Sequence, residues 1–174
     1  MRSVDTKNSW QIRRLQQSDV YQLLDIISSA RREFGLASRV SALLEPNDYA
    51  LCDVYRHRRS AYFVAVMGNH VLGGAGIFPL ANGGWGTCEL QRMYLRSQHR
   101  GLGIGQTLLN ACIETAGSLG FEQCYAETVS EMSAAIAFYE RNGFRRLTAP
   151  IGETGHTHND FWMMLAMGTT ASSL

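Results

Sequence analysis

A glycine-rich stretch near the middle of the chain has the composition of a phosphate-binding loop. It reads Gln98-His99-Arg100-Gly101-Leu102-Gly103-Ile104-Gly105 and lies between a predicted strand and a predicted helix. Unpaired backbone N–H groups and the positive end of the helix dipole converge at such a helix start and bind anions. Glycines at alternate positions of a first helical turn lower helix stability, so they indicate close approach of a ligand to the backbone. Arg100 adds a cation beside this site.

The spacing of the glycines distinguishes between kinds of phosphate ligand. A GxGxxG dinucleotide fingerprint that begins at Gly101 needs glycine at position 106, where this chain has Gln106. A Walker loop needs Gly-Lys followed by Ser or Thr, which is absent here. Nicotinamide dinucleotides and ATP are therefore disfavoured, and a dinucleotide-dependent oxidoreductase remains only as a minor hypothesis based on Gly101 and Gly103.

Two groups of potential metal ligands also occur in the sequence. His156, His158 and Asp160 alternate, so an extended backbone would point all three to one face, although the segment equally fits a polar loop before a strand. The four cysteines have neither the CxxC nor the CxH spacing of a zinc site; they are Cys52, Cys88, Cys112 and Cys124. We expect no metal, and we expect buried thiols in a reducing cytosol.

The elements that would position these residues predict a mixed α/β fold. Apolar and β-branched patterns predict strands over Trp10–Leu15, Ala61–Met67, Val71–Phe78, Thr87–Leu95, Cys124–Val129, Phe144–Leu147 and Phe161–Leu165. Helices are predicted after Ser18-Asp19, over Gly103–Ala116, and from a cap at Ser130 or Ser133 to Asn142-Gly143. One or two further helices are expected in the long connection before the second strand. We expect a single domain over residues 1–174, with a core over about 10–167, in which helices flank a central, mostly antiparallel sheet.

Composition excludes several classes of partner. The chain has 174 residues, 45% of them hydrophobic, which suits one globular domain. Its net charge of only +1 provides no broad field that would attract nucleic acid or an anionic membrane. No apolar run approaches the roughly 20 residues that cross a bilayer, and the first residues lack the apolar core of a signal peptide. We expect a soluble cytoplasmic protein with neither nucleic-acid nor membrane partners.

Two motifs resemble those of a known enzyme family. Gln98–Gly103 matches the Q/R-x-x-G-x-G/A motif of the GNAT N-acetyltransferase superfamily, and Ala135–Phe144 resembles its second signature, AIxFYExxGF. The resemblance runs from Ile12 to about Leu165 and includes Cys88–Leu95, which is similar to the family's acetyl-CoA strand. Arg32–Leu36 and Thr154–His156 also resemble a bacterial GNAT subgroup of undefined substrate. The resemblance implies a GNAT-type acyl-CoA N-acyltransferase fold with acetyl-CoA as co-substrate.

The same resemblance implies where acetyl-CoA binds. Backbone groups of Met93, Tyr94 and Leu95 would pair with the pantetheine arm, and the strands that contain Glu89 and Cys124 would diverge to admit the thioester. Backbone amides would hold the pyrophosphate; they belong to Arg100, Gly101, Leu102, Gly103, Ile104, Gly105 and Gln106. One position departs from the family: many relatives carry Asn where this chain has Met132, whose thioether cannot donate a hydrogen bond to the cofactor arm. Ser130 and Ser133 are candidate replacements.

Direct acetyl transfer needs a neutral amine and a proton for the departing thiolate. For a lysine-like amine with a pKa of about 10.4, deprotonation at pH 7 costs about 4 to 5 kcal/mol. Glu89 is the candidate base, directly or through water; alternatively, it forms an ion pair with Arg92 or another cation. Tyr139 occupies the family's general-acid position; alternatively, it is an aromatic core residue beside Ile136.

The sequence leaves the acceptor open. We expect transfer to the amine of a small molecule within a ternary complex, while the alternatives are a protein N-acetyltransferase and a non-catalytic acetyl-CoA-binding regulatory module. Arg31–Asp53 and Asn82–Gly86 would select the acceptor, and by its position in the family fold His156 would help to recognise it. Edge strands near the C-terminus are compatible with a homodimer.

Overall fold

Seven strands form one sheet in the computed structural model, which describes residues 9–36, 46–156 and 158–168. The strands are β1 (Gln11–Arg14), β2 (Ala61–Met67), β3 (His70–Pro79), β4 (Thr87–Leu95), β5 (Gln123–Thr128), β6 (Arg145–Arg146) and β7 (Phe161–Ala166). Their order across the sheet is β1-β2-β3-β4-β5-β7-β6, and every neighbouring pair is antiparallel except β4 and β5. The predicted mixed α/β architecture with a mostly antiparallel sheet is confirmed.

Helices cover both faces of this sheet. They are α1 (Val20–Glu33), α2 (Pro46–Tyr49), α3 (Leu51–Val54), α4 (Ile104–Ser118) and α5 (Ser133–Arg141). Residues that alternate along β2 point to opposite faces, so Val64 packs against α1 whereas Ala65 packs beside α4. On the α1 side, Leu23 and Ile27 are fully buried, and on the α4 side Leu108 and Cys112 are fully buried. Two apolar layers therefore hold the central strands, and with them the site, between helices.

An irregularity in β4 turns part of this strand away from regular pairing. Gly74 of β3 pairs with Tyr94 and Gly76 pairs with Gln91, so β4 contains one extra residue between these two pairs. Arg92 lies in this bulge with φ of 49°, and its carbonyl accepts a hydrogen bond from the Tyr62 hydroxyl at 2.9 Å. Such a bulge bends the strand and re-aims its side chains.

The two parallel strands at the centre diverge as expected. β4 pairs with β5 only over Thr87–Glu89, which lie opposite Gln123–Tyr125. Beyond these residues β4 continues to Leu95 without β5, and β5 continues to Thr128 paired only with β7. The divergence opens a cleft in the middle of the sheet.

The start of α5 differs from the prediction. Neither Ser130 nor Ser133 caps the helix: its N-cap is Met132, which makes no side-chain capping bond. Ser130 instead bonds Asp160 through its backbone N–H at 2.7 Å and its hydroxyl at 3.1 Å. Ser130 therefore links the loop before α5 to the segment before β7 through hydrogen bonds.

Within the described residues, no helix combines the length and apolar character needed to span a membrane.

Candidate active site

The glycine-rich loop joins β4 to α4 in a conformation that requires glycine. Gly101 has φ of 76° and Gly103, the N-cap of α4, has φ of 81°. L-residues rarely adopt these values, because their Cβ atom would approach the following carbonyl. Gly105 differs: it lies in the first helical turn, where an added Cβ would make ordinary contact with Leu95 and Met93. The loop therefore enters α4 through two residues in the left-handed conformation that favours glycine.

A cavity of about 370 Å³ lies between this loop, β4 and α5. Among the predicted cofactor-binding residues, it is lined by Met93, Tyr94, Leu95, Arg100, Gly101, Gly103, Gly105 and Gln106. Two further residues of the predicted set have side chains elsewhere: that of Leu102 is 59% exposed and that of Ile104 is buried in the core. For these two residues, only backbone groups are available for the predicted role.

Sequence reasoning missed part of the cavity lining. Phe34 from the end of α1 and four residues of α5 also line it; the latter are Ala134, Ala135, Phe138 and Arg141. The signal for the α5 residues was the small and aromatic pattern of the second motif. Phe34 lies in the Arg32–Leu36 segment that resembles a GNAT subgroup, but nothing in that segment indicated a cavity-lining position, because this depends on how α1 crosses the sheet.

A smaller cavity of about 80 Å³ lies next to the first one. Tyr94 and Met132 line both cavities, so the two spaces meet at these side chains. The small cavity is mostly polar; its lining includes Arg31, Glu89, Gln91, Arg92, Glu127, His156, His158 and Asn159. Residues 37–45 of the segment expected to select the acceptor lie outside the described residues.

Glu89 is buried at the edge of the small cavity, with only 4% of its surface exposed. One carboxylate oxygen accepts a hydrogen bond from Gln91 Nε2 at 2.6 Å. Burial raises the pKa of Glu89 to about 7, and the nearby charge of Glu127 adds to this elevation while Gln91 and His156 oppose it. A carboxylate with this pKa can accept a proton near neutral pH.

The alternative ion pair between Glu89 and Arg92 is not present. Arg92 Nε donates instead to Asp48, which is fully buried, and Arg31 Nη1 donates to the other carboxylate oxygen at 2.8 Å. This buried arrangement ties α1 and α2 to the bulge of β4. It also directs the Arg92 side chain away from ion pairing with Glu89, whose carboxylate lies 3.9 Å from His156 Nδ1.

Glu127 and His156 form a closely bonded pair beside Glu89. His156 Nδ1 lies 2.9 Å from Glu127 Oε1 and 3.9 Å from Glu89 Oε1. Asn159 Nδ2 also donates to Glu127 at 3.0 Å, and the Tyr125 hydroxyl donates at 3.1 Å. Burial opposes ionisation of Glu127, but hydrogen bonds from His156, Thr154 and Asn159 outweigh it and lower its pKa.

Tyr139 lines the larger cavity, whereas Glu89 lines the smaller one. Its ring packs against Phe138 and Phe144, with centroid separations of 5.7 and 5.3 Å. Burial raises the pKa of Tyr139 above its usual range, so the hydroxyl keeps its proton at neutral pH. The residue is thus part of the core and also faces the cavity.

The alternating histidine and aspartate residues do not gather as their spacing suggested. The rings of His156 and His158 are 6.0 Å apart, whereas Asp160 bonds Ser130. His156 is brought instead to Glu89 and Glu127, with one potential ligand atom of each within 4.8 Å of the others. The His156–Glu127 hydrogen bond accounts for this proximity without an ion. Sequence reasoning missed Glu127, although it is the one charged residue of β5 and this could have marked it.

Residues 21–144 match the acetyltransferase (GNAT) family. An uncharacterised N-acetyltransferase of Escherichia coli (strain K12), YjgM, is 35% identical over 154 residues, which cover 88% of this chain and 92% of that protein.

Solved structures share the fold. A GNAT acetyltransferase from Staphylococcus aureus Mu50 superposes with a TM-score of 0.80 at 21% identity, over 91% of this chain and 99% of that one. YncA from Salmonella typhimurium, an acetyltransferase solved with acetyl-CoA, superposes with a TM-score of 0.72 at 20% identity, over 95% of this chain and 98% of that one. The chain therefore belongs to the acetyltransferase (GNAT) family and is an enzyme of the acyltransferase class.

Proposed function

We propose that this chain, acting as a single domain, transfers the acetyl group of acetyl-CoA to the amine of a small molecule by direct attack in a ternary complex. The observation that carries the proposal is the meeting of two cavities at Tyr94 and Met132. One cavity offers amides and a cation for a pyrophosphate, and the other offers a base with a pKa near 7. Both substrates can therefore be bound at once, with the acceptor beside the thioester.

Binding of acetyl-CoA would use the larger cavity. Its volume of about 370 Å³ is of the size that accommodates an extended cofactor arm. Arg100 and the backbone of Gly101 and Gly103 support a pyrophosphate at the N-terminus of α4, where the helix dipole also favours an anion. The part of β4 that has no partner on the β5 side supports backbone pairing of Met93, Tyr94 and Leu95 with the pantetheine arm. YncA, solved with acetyl-CoA, shares this fold.

Activation of the acceptor would depend on Glu89. The amine arrives as an ammonium ion, loses a proton to the Glu89 carboxylate, and attacks the thioester carbonyl with its lone pair. The buried carboxylate is a much stronger base than an exposed one, since its pKa is about 7 instead of 4.5. The volume of the small cavity that contains Glu89, about 80 Å³, supports a small acceptor group.

Departure of the thiolate would depend on Tyr139. Its hydroxyl keeps its proton at neutral pH, and the residue lines the cavity that would hold the thioester. It can therefore donate a hydrogen bond to the sulfur as the carbon–sulfur bond breaks, or pass its proton to the thiolate and recover one from the nitrogen of the acetylated amine. We also propose that the protein is cytoplasmic. All four cysteines are free thiols, as is usual for proteins in the reducing cytosol.

The test is release of free CoA thiol from acetyl-CoA across a panel of small amines, amino acids and peptides. The wild type is compared with Glu89→Gln and Tyr139→Phe, and acetyl-CoA binding is measured separately by calorimetry. We expect turnover on small amines, a loss of about 100-fold or more in kcat for Glu89→Gln, and about 10-fold or more for Tyr139→Phe. Acetyl-CoA affinity should change little in either variant.

Two surface substitutions serve as matched controls. Tyr21→Phe removes the hydroxyl of an 86% exposed tyrosine, and Glu122→Gln neutralises an exposed carboxylate at the start of β5. Turnover confined to peptides would replace the small-molecule acceptor with a protein acceptor. Tight acetyl-CoA binding without turnover on any acceptor would identify a regulatory module instead.

A further inference from the structure

Three titratable side chains from three separate segments meet at the small cavity, which is the proposed acceptor site. Glu89 comes from β4, Glu127 from β5, and His156 from the loop before β7. We propose that Glu127 is a positioning residue for acetyl transfer: its carboxylate orients His156 by accepting the Nδ1 hydrogen, and it places a fixed negative charge beside Glu89. This inference rests on the proposed function, in which Glu89 accepts the proton of the acceptor.

The two carboxylates have different surroundings. Glu127 accepts hydrogen bonds from Asn159 Nδ2 at 3.0 Å and from the Tyr125 hydroxyl at 3.1 Å, in addition to His156 at 2.9 Å. A carboxylate that receives several donors is stabilised in its ionised form. Glu89 receives Gln91 Nε2 at 2.6 Å and lies in a more desolvated position. Glu127 therefore remains an anion while Glu89 gains and loses the proton.

The two carboxylates are close enough for the charge on Glu127 to affect the protonation of Glu89. One oxygen of each lies within 4.8 Å of an oxygen of the other, and both side chains are about 95% buried. Two like charges at this separation in a poorly solvated site cannot both form without cost. The charge on Glu127 thus increases the proton affinity of Glu89 and makes it a stronger base.

The same carboxylate determines the orientation of His156. Ionised Glu127 has no hydrogen to give, so in the 2.9 Å contact the imidazole Nδ1 carries the proton and donates it. The ring is held beside Glu89, where any positive charge on it would lower the proton affinity of that base. Glu127 and His156 therefore act on Glu89 in opposite directions.

Other groups also face Glu89 and define its environment. Arg92 forms an ion pair with Asp48, and the charge of Arg92 slightly favours the ionised form of Glu89. Tyr55, Cys124 and Tyr125 are neutral near pH 7: burial raises the pKa of both tyrosines, and a hydrogen bond with Cys88 together with burial raises that of Cys124. Arg31, which pairs with Asp48, and His158 line the same cavity as Glu89. Glu127 and His156 are thus the neighbours whose substitution changes the charge at Glu89 without breaking the Arg92–Asp48 pair.

Because Glu127 and His156 shift the proton affinity of Glu89 in opposite directions, substituting them provides a test. The measurement is the pH dependence of kcat/KM for the acceptor at saturating acetyl-CoA. In the wild type we expect an acid limb near pH 7, set by Glu89. Glu127→Gln should move this limb to lower pH by half a unit or more and reduce the plateau by about 10-fold, because Glu89 becomes a weaker base. His156→Gln should move the limb to higher pH or leave it in place. Glu122→Gln, on the exposed residue just before β5, should leave it unchanged.

A second measurement does not depend on an acceptor. The Glu89 side-chain carboxyl carbon is titrated by ¹³C NMR in the wild type and in Glu127→Gln, and is assigned by its loss in Glu89→Gln. We expect the midpoint to fall in Glu127→Gln, and to return toward the wild-type value in Glu127→Asp, which restores the charge. An unchanged midpoint, or an acid limb that shifts the same way in Glu127→Gln and His156→Gln, would overturn the inference. If the midpoint falls but no amine is acetylated, the proposed function fails while the relation between the two carboxylates stands.

Discussion

Arg100 and Glu33 form a two-point salt bridge beside the larger cavity. Arg100 Nη1 lies 2.7 Å from Glu33 Oε1, and Nη2 lies 2.8 Å from Oε2. Arg100 belongs to the glycine-rich loop, and Glu33 is the last residue of α1. The guanidinium that is proposed to meet the pyrophosphate is therefore already bound to a carboxylate, and acetyl-CoA must compete with that carboxylate.

We predict that Glu33→Gln strengthens acetyl-CoA binding by about two- to fivefold at low salt, because an exposed ion pair contributes about 0.2 to 1 kcal/mol. Calorimetric dissociation constants at low and high salt would measure this, and the gain should shrink as salt screens the charges. Asp25→Asn is the matched control, since Asp25 forms an exposed pair with Arg96 at 2.9 Å outside the cavity lining. Weaker binding by Glu33→Gln would show instead that Glu33 holds Arg100 in its binding position.

Gly103→Ala is predicted to destabilise the protein by about 1 to 2 kcal/mol, because an alanine must then adopt the left-handed conformation at the N-cap of α4. No atom lies within 4 Å of the added Cβ, so the cost comes from the backbone, whose φ is 81°. Acetyl-CoA affinity should fall as well, since the amides of the loop would be displaced. Urea unfolding and calorimetry measure the two effects.

Gly117→Ala provides the comparison for Gly103→Ala. Gly117 lies within α4, also has no atom within 4 Å of an added Cβ, and does not have a positive φ. Alanine should stabilise this position by about 0.5 to 1 kcal/mol. Equal effects at the two sites would contradict the backbone explanation.

Met132→Asn is predicted to raise both the melting temperature and the affinity for acetyl-CoA. Met132 is the N-cap of α5 without a side-chain capping bond, and asparagine at an N-cap stabilises a helix by about 1 kcal/mol. Its amide could also donate to the cofactor arm, as the family resemblance implies, whereas the present sulfur accepts a bond from Thr128 Oγ1 at 3.3 Å. Thermal unfolding and calorimetry would be compared with Met132→Leu, which adds neither group. A higher melting temperature without higher affinity would show that the cofactor arm does not reach this position.

Glu89→Gln is predicted to stabilise the protein more at pH 8 than at pH 5. The folded-state pKa of Glu89, about 7, exceeds the ordinary value of 4.5. A pKa that is raised in the folded state contributes stability. This contribution is fully present below about pH 4.5, the ordinary value, and is lost as the pH rises through 7. The wild type should lose up to about 3 kcal/mol of stability from this group, a cost that glutamine avoids. Urea unfolding at the two pH values tests this, with Glu122→Gln expected to give no pH-dependent difference.

The glycine-rich loop could be predicted from the sequence because its properties are local. The positive φ of Gly101 and Gly103 and the start of α4 depend on consecutive residues, and these signals are visible without knowledge of the fold. The strands were visible for a similar reason, since period-two alternation marks a backbone that buries one face or both. The resemblance of two motifs then implied the divergence of β4 and β5, which the structure shows.

The arrangement of side chains around Glu89 was decided by tertiary structure. Glu127 and His156 are separated by 29 positions in the chain, and they meet only because the loop before β7 folds back across the end of β5. Arg92 bonds Asp48 rather than Glu89 because a bulge with φ of 49° redirects it, and no local pattern announced that bulge. Sequence alone thus determined the mixed α/β class and the conformation of the glycine-rich loop, which follow from periodicity and backbone conformation. The pairing of charges around Glu89 depends on strand register and long-range contacts, and only the folded chain could decide it.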